Sequence, residues 1–168
     1  MDEQTARMIQ QLKSNPAMLQ ALMQSRDGQA LMQMLSDCSG AGIEYIFNCG
    51  YRTMQEQTDI LEKRTQEHMK EFDLDFDEAR KKALETVAVP GTSEHQMGLA
   101  VDISGEDAHA WLAEHCWEYG FILRYPADKE SVTGVMYEPW HFRYVGKEAA
   151  AYIMENNLCL EEFLDLYK

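Results

Sequence analysis

Leu99-Ala100-Val101-Asp102-Ile103 alternates with period two directly after Gly98, and this short strand pattern constrains the chain more than any other stretch. On that period Leu99, Val101 and Ile103 face the core. Ala100 and Asp102 share the opposite face, where the small side chain at 100 leaves room beside the aspartate. His95 precedes Asp102 within Ser93-Glu94-His95-Gln96-Met97-Gly98, and His141 follows within Tyr137-Glu138-Pro139-Trp140-His141.

Two histidines and an aspartate form a familiar zinc set. A catalytic zinc typically takes three protein ligands and leaves a fourth position for water, and His95, Asp102 and His141 supply that count. A metal in such a site brings the pKa of its water toward neutrality, and Glu138 is placed to take the proton. Spacing alone leaves open whether the three residues meet at a metal or lie near one another by chance. A regular strand would put Glu138 and His141 on opposite faces, and Pro139 argues against a helix interior, so one site for both requires a bulge or turn at Pro139-Trp140.

The remaining elements follow from local signals. Residues 3 to 37 read as two or three short helices, with Asn15-Pro16 as a start signal and Met18, Leu19, Leu22 and Met23 as an apolar stripe. Ile43 to Cys49 reads as a strand, and Thr53 with Glu56 as a capping box opening a helix from about Met54 to Met69, beside Arg52. Asp73 to Glu78 superficially suggests a calcium loop, but its sixth position is Glu78 where glycine is needed and its twelfth is Leu84 where glutamate is needed. Those acids instead suit the start of a helix over Glu78 to Glu85. A helix is expected over Glu106 to Tyr119, ending at Gly120, then strands over Phe121 to Tyr125, Val132 to Met136 and His141 to Val145. Closing helices are expected over Lys147 to Glu155 and Leu158 to Tyr167.

The 168 residues fit one domain over 1–168, large enough to fold without staples. With 15 Lys and Arg against 29 Asp and Glu, the formal charge of −14 repels nucleic acid and anionic membrane and suits a cation or cationic substrate. Cys38, Cys49, Cys116 and Cys159 are scattered without a paired motif and read as buried free thiols. Neither a signal-peptide pattern nor an 18-residue apolar run is present, so the expected compartment is the cytoplasm, an exported form requiring an anchor from elsewhere.

Ser-x-His-x-x-Gly-x-Ala-x-Asp (Ser93 to Asp102) followed by Glu138-Pro139-Trp140-His141 resembles the zinc D,D-peptidases of bacterial cell-wall metabolism. That group includes the vancomycin-resistance D-alanyl-D-alanine carboxypeptidases and dipeptidases. The similarity extends over roughly residues 29 to 168 through Gly50-Tyr51-Arg52-Thr53, Pro90 to Gln96, Tyr119 to Pro126 and Tyr137 to Gly146. It implies a compact α+β fold whose small antiparallel sheet carries the metal and is flanked by helices. It also implies zinc on His95, Asp102 and His141, with Glu138 as general base. Arg52, Gln57 and Ser93 acquire a substrate role, Arg52 holding or polarising terminal groups, while Trp140 orients His141 or lines the pocket and Tyr125 lines it.

The implied activity is hydrolysis of a D-alanyl-D-alanine terminus, in a peptidoglycan stem peptide or the dipeptide itself. Alternatives are an L,D-carboxypeptidase or endopeptidase of the same fold, and a binding module that keeps zinc for structure, as in hedgehog signalling domains. Residues 1–28 depart from the family pattern and bear on the pocket rim.

Overall fold

The computed structural model describes residues 24–168. Among these, seven α-helices and one four-stranded antiparallel sheet make the expected α+β fold. The Asn15-Pro16 start signal and the Met18 to Met23 stripe lie outside the described residues.

Helix α1 (Arg26–Gly40) starts at Ser25, whose side chain accepts from the Gly28 amide, and leads into β1 (Ile46–Cys49). The expected capping box at Thr53 and Glu56 is fully formed and opens α2 (Met54–Phe72). Helix α3 (Phe76–Ala83) is capped by the Asp75 carboxylate on the Glu78 amide, which is how the acids of this stretch are used.

A short 3-10 turn, Glu94–Met97, then delivers the chain to β2 (Ala100–Ser104) through Gly98 at φ 71°. That left-handed conformation suits glycine and turns the chain sharply between His95 and Asp102. Helix α4 (Glu106–His115) continues as a 3-10 turn, Cys116–Tyr119, into β3 (Phe121–Leu123). Gly120 between them has φ 91°, and a Cβ there would stand 3.0 Å from the backbone of Gly146 and Lys147, so the close approach also demands glycine. Helix α5 (Glu130–Thr133), β4 (His141–Tyr144), α6 (Lys147–Glu155) and α7 (Leu160–Asp165) complete the order.

Among the described residues, one expected element is absent. Val132 to Met136 is not a strand: α5 occupies its start, and Gly134 at φ 70° ends that helix. The β-branched Val132 and Thr133 suggested extended chain, but the Thr133 hydroxyl bonds the backbone of Val135 and Glu130 takes the Tyr137 amide, local partners that replace a ladder.

The sheet order is β1-β2-β4-β3, so the two strands bearing Asp102 and His141 are central neighbours. One face packs on α1 and α4, with Val101, Ile103, Phe121 and Phe142 meeting Leu31, Met34, Leu35, Ala108 and Leu112. A second cluster gathers Ile122, Ala150 and Ile153, with Phe163 against it. The alternation expected in β2 holds for Val101, Ile103 and Asp102, but Ala100 is also buried, because the opposite face is covered as well. Val101 pairs with Phe142 in the core, and the next pair, Asp102 with His141, points to the other face, as the two-residue period requires.

Candidate active site

Across the sheet, one transverse row carries the chemistry. Cys49 pairs with Asp102, Asp102 with His141, and the Arg124 amide beyond the end of β3 donates to the His141 carbonyl at 3.1 Å. Above that row the 3-10 turn of Glu94–Met97 brings His95 down onto Asp102, with Nε2 3.3 Å from Oδ2. His141 Nδ1 stands 3.2 Å from the other oxygen, Oδ1, and the two imidazole rings meet edge to face at 4.9 Å.

The expected turn at Pro139-Trp140 is present. The His141 amide bonds the Glu138 carbonyl at 3.2 Å, and the Glu138 amide bonds the Tyr125 carbonyl at 3.1 Å. This turn brings both side chains to one site, with Glu138 Oε2 3.7 Å from His141 Nδ1.

Hydrogen bonds choose which nitrogen of each imidazole faces inward. His95 Nδ1 lies 2.8 Å from the Gly50 carbonyl, which accepts only from an N–H, so Nε2 is left toward Asp102. His141 Nε2 faces the Glu94 carboxylate at 3.4 Å and leaves Nδ1 toward Asp102. Glu94 is itself held by Arg124 Nε at 2.8 Å, and Arg124 spans to Glu161 at the start of α7 by two bonds of 2.9 and 2.6 Å. Carboxylate partners on the far side of ligand histidines fix ring orientation in metal sites.

The electrostatics agree. Burial disfavours the Asp102 charge, but His141 and His95 outweigh it and hold the carboxyl down at about 2. Glu94 is likewise held at about 2, where His141, Arg124 and Arg143 overcome burial. Burial opposes a proton on His95, yet Asp102 and Cys49 push it up to about 10, and His141 is raised by Asp102 and Glu94 against the same opposition. An environment that favours a cation on two adjacent imidazoles also favours a metal cation between them. Asp102 Oδ1 supports the fit, being buried and without a hydrogen bond of acceptable geometry. Glu138 behaves differently, since burial and the nearby Asp102 and Glu94 charges raise it against the lowering pull of His141 and His95.

All nine residues expected at the site line one cavity of about 400 Å³. Arg52 reaches it from just before α2, with Nη1 2.7 Å from Gln57 Oε1 and Nη2 3.8 Å from Asp102 Oδ2. Gln57 is fully buried and donates onward to the Ala88 carbonyl, so it braces Arg52. Ser93 is buried just before the turn of His95, while Trp140 lines the opening and is partly exposed. The Tyr125 ring packs beside His141, with ring centroids 5.1 Å apart.

Sequence reasoning missed Glu94, Arg124 and Cys49. Glu94 and Arg124 stood inside segments that carried the family resemblance, but nothing in their spacing assigned a role. Cys49 was expected to be buried with the other thiols; all four cysteines are free, and Cys49 alone is only half-buried, in the site row.

Residues 20–147 match the family described as VanY, D-alanyl-D-alanine carboxypeptidase. The chain belongs to this D-alanyl-D-alanine carboxypeptidase family. A D-alanyl-D-alanine carboxypeptidase of Enterococcus faecalis is 46% identical over 145 residues, covering 82% of this chain and 54% of that protein. The chain thus spans about half the length of the curated relatives it matches. Among solved structures, VanYB in complex with D-alanine-D-alanine superposes with TM-score 0.79 at 42% identity, covering 85% of this chain and 82% of that one. A variant of the vancomycin-resistance D,D-pentapeptidase VanY in complex with Zn(II) gives 0.77 at 43% identity, covering 83% and 82%. No helix among the described residues is long and apolar enough to cross a membrane.

Proposed function

We propose that this chain is a zinc D,D-carboxypeptidase that releases the terminal D-alanine of peptidoglycan stem peptides, and of the D-alanyl-D-alanine dipeptide. The observation that carries this reading is the convergence of His95 Nε2 and His141 Nδ1 on the two oxygens of Asp102, with Glu138 beside them. Zinc and D-alanyl-D-alanine complexes of its structural relatives support the metal and the substrate.

His95, Asp102 and His141 would hold zinc, which supplies Lewis-acid polarisation of the scissile carbonyl and acidifies a water. Glu138, its carboxylate made more basic by burial, takes the proton of the attacking water and delivers it to the leaving amine. Arg52, braced by Gln57, offers a charged fork to the substrate's terminal carboxylate. Ser93 fixes the substrate backbone from the buried side of the cavity, while Tyr125 and Trp140 form its aromatic wall. Four unpaired cysteines support a reducing compartment.

The test is mass spectrometry of products from D-alanyl-D-alanine, a stem pentapeptide and a stem tetrapeptide, before and after chelation and zinc restoration. Release of D-alanine from the dipeptide and pentapeptide, abolished by chelator and restored by zinc, is the expected result. Cleavage of the tetrapeptide alone would replace it with L,D-specificity, and turnover indifferent to chelator would refute it.

A further inference from the structure

In β1, Phe47 pairs with Ile103 and packs against the core. Uninterrupted pairing would set Cys49, two residues on, opposite Val101 and turn it to that same apolar face. The register shifts between Phe47 and Cys49, however, and Cys49 pairs with Asp102 instead. A bulge of this kind adds one residue to one strand and re-aims the side chains that follow. Here it moves a thiol out of the core and into the site row.

There the Cys49 Sγ, an imidazole nitrogen of His95 and a carboxylate oxygen of Asp102 all lie within 4.8 Å of one another. Donors bound at about 2.0–2.3 Å to one tetrahedral ion stand roughly 3.5 Å apart, so these three need only a small approach to share an ion. The thiol's other polar neighbours are the Arg52 guanidinium, with Nη2 3.3 Å from Sγ, and the Gly50 carbonyl at 3.6 Å.

We propose that Cys49 is a fourth protein ligand, joining His95, Asp102 and His141 so that the resting centre is closed by sulfur at the position that water or substrate needs. The proposal rests on the metal reading above. As sulfur binds, the S–H bond breaks and the proton leaves to solvent. When a substrate displaces the sulfur, the thiolate turns to Arg52, with no change of oxidation state. Four protein ligands are the mark of structural zinc sites and an open position that of catalytic ones, so the chain would hold a latent centre that opens on substrate binding. A soft sulfur donor also favours zinc over harder cations such as magnesium.

X-ray absorption at the zinc edge tests this on the unmodified chain, reconstituted with one equivalent of zinc under a phosphine reductant so that no added thiol contributes sulfur. One sulfur at about 2.3 Å beside nitrogen and oxygen donors at about 2.0–2.2 Å is expected, with the sulfur lost in Cys49→Ser while zinc stoichiometry is kept. Stoichiometric zinc surrounded only by nitrogen and oxygen would overturn the proposal and leave the metal reading standing. A sulfur signal that persists in Cys49→Ser would assign it to another cysteine and overturn it equally. Failure to retain zinc at all would overturn both. The cobalt-substituted protein gives a second readout: a sulfur-to-metal charge-transfer band that weakens as D-alanyl-D-alanine is added.

Discussion

Glu94 Oε2 lies 3.4 Å from His141 Nε2, and this contact decides which nitrogen of the imidazole is left to face Asp102. Glu94 acts through His141 and is a positioning residue. Glu94→Gln keeps the shape but removes the charge that orients the ring. Zinc affinity, measured by chelator competition, should fall roughly 10- to 100-fold, with restoration by Glu94→Asp only partial. Histidine nitrogen shifts in the NMR spectrum should show His141 sampling both tautomers.

Glu138→Ala should lower kcat for D-alanine release by about 10²- to 10⁴-fold, the usual contribution of a general base, while the bound zinc remains stoichiometric. Single-turnover assays with metal analysis on the same sample separate the two quantities. Unchanged turnover would remove Glu138 from the mechanism.

Arg52→Ala should raise KM for peptides with a free terminal carboxylate. A charged hydrogen bond is worth about 1.5–3 kcal/mol, or roughly 10- to 100-fold in kcat/KM. Gln57→Ala should give a weaker version of the same defect, because it releases the guanidinium without removing it. A terminal amide substrate should be insensitive to both changes.

Arg124 bridges Glu94 to Glu161 with side chains that are 9%, 13% and 33% exposed. Arg124→Met leaves the two acids without their shared cation. Breaking a buried pair by removing one partner costs about 3–5 kcal/mol, readable as a shift in the urea midpoint of the metal-free chain. Glu161→Gln, at the more exposed end, should cost less.

The metal-free chain should be most stable between about pH 4.5 and 6.5. Glu94 and Asp102 titrate at about 2 when folded, below their ordinary 4.5 and 3.8, so their stabilisation is present above those values and fades as pH falls toward 2. His95 titrates at about 10, above its ordinary 6.5, so its contribution is whole below 6.5 and lost as pH rises toward 10. Denaturant midpoints across this range should fall on both limbs, and zinc should remove the alkaline limb by replacing the imidazole protons.

Features fixed by a few neighbouring residues were legible beforehand. The Thr53 and Glu56 capping box, the use of the Asp73 to Glu78 acids at a helix start, the break at Gly98 and the alternation that points Asp102 away from the core all depend on local spacing or conformation. The turn at Pro139-Trp140 was legible because proline is barred from both regular alternatives. The strand expected at Val132 to Met136 failed where β-branched propensity met side chains offering the backbone other partners.

The sequence by itself determined the residue types of the site, their order and the family, since motif and spacing survive without coordinates. Only the tertiary structure decided which strands are neighbours, and hence that Cys49, Asp102 and His141 form one row with Arg124 at its end. The physical reason is that strand pairing and register follow from how apolar faces pack across the whole sheet, and a one-residue shift, as at Cys49, exchanges its two faces. The link from Glu161 through Arg124 and Glu94 to His141 is of the same kind. Its charges lie far apart in the chain, and burial gives their pairing its strength.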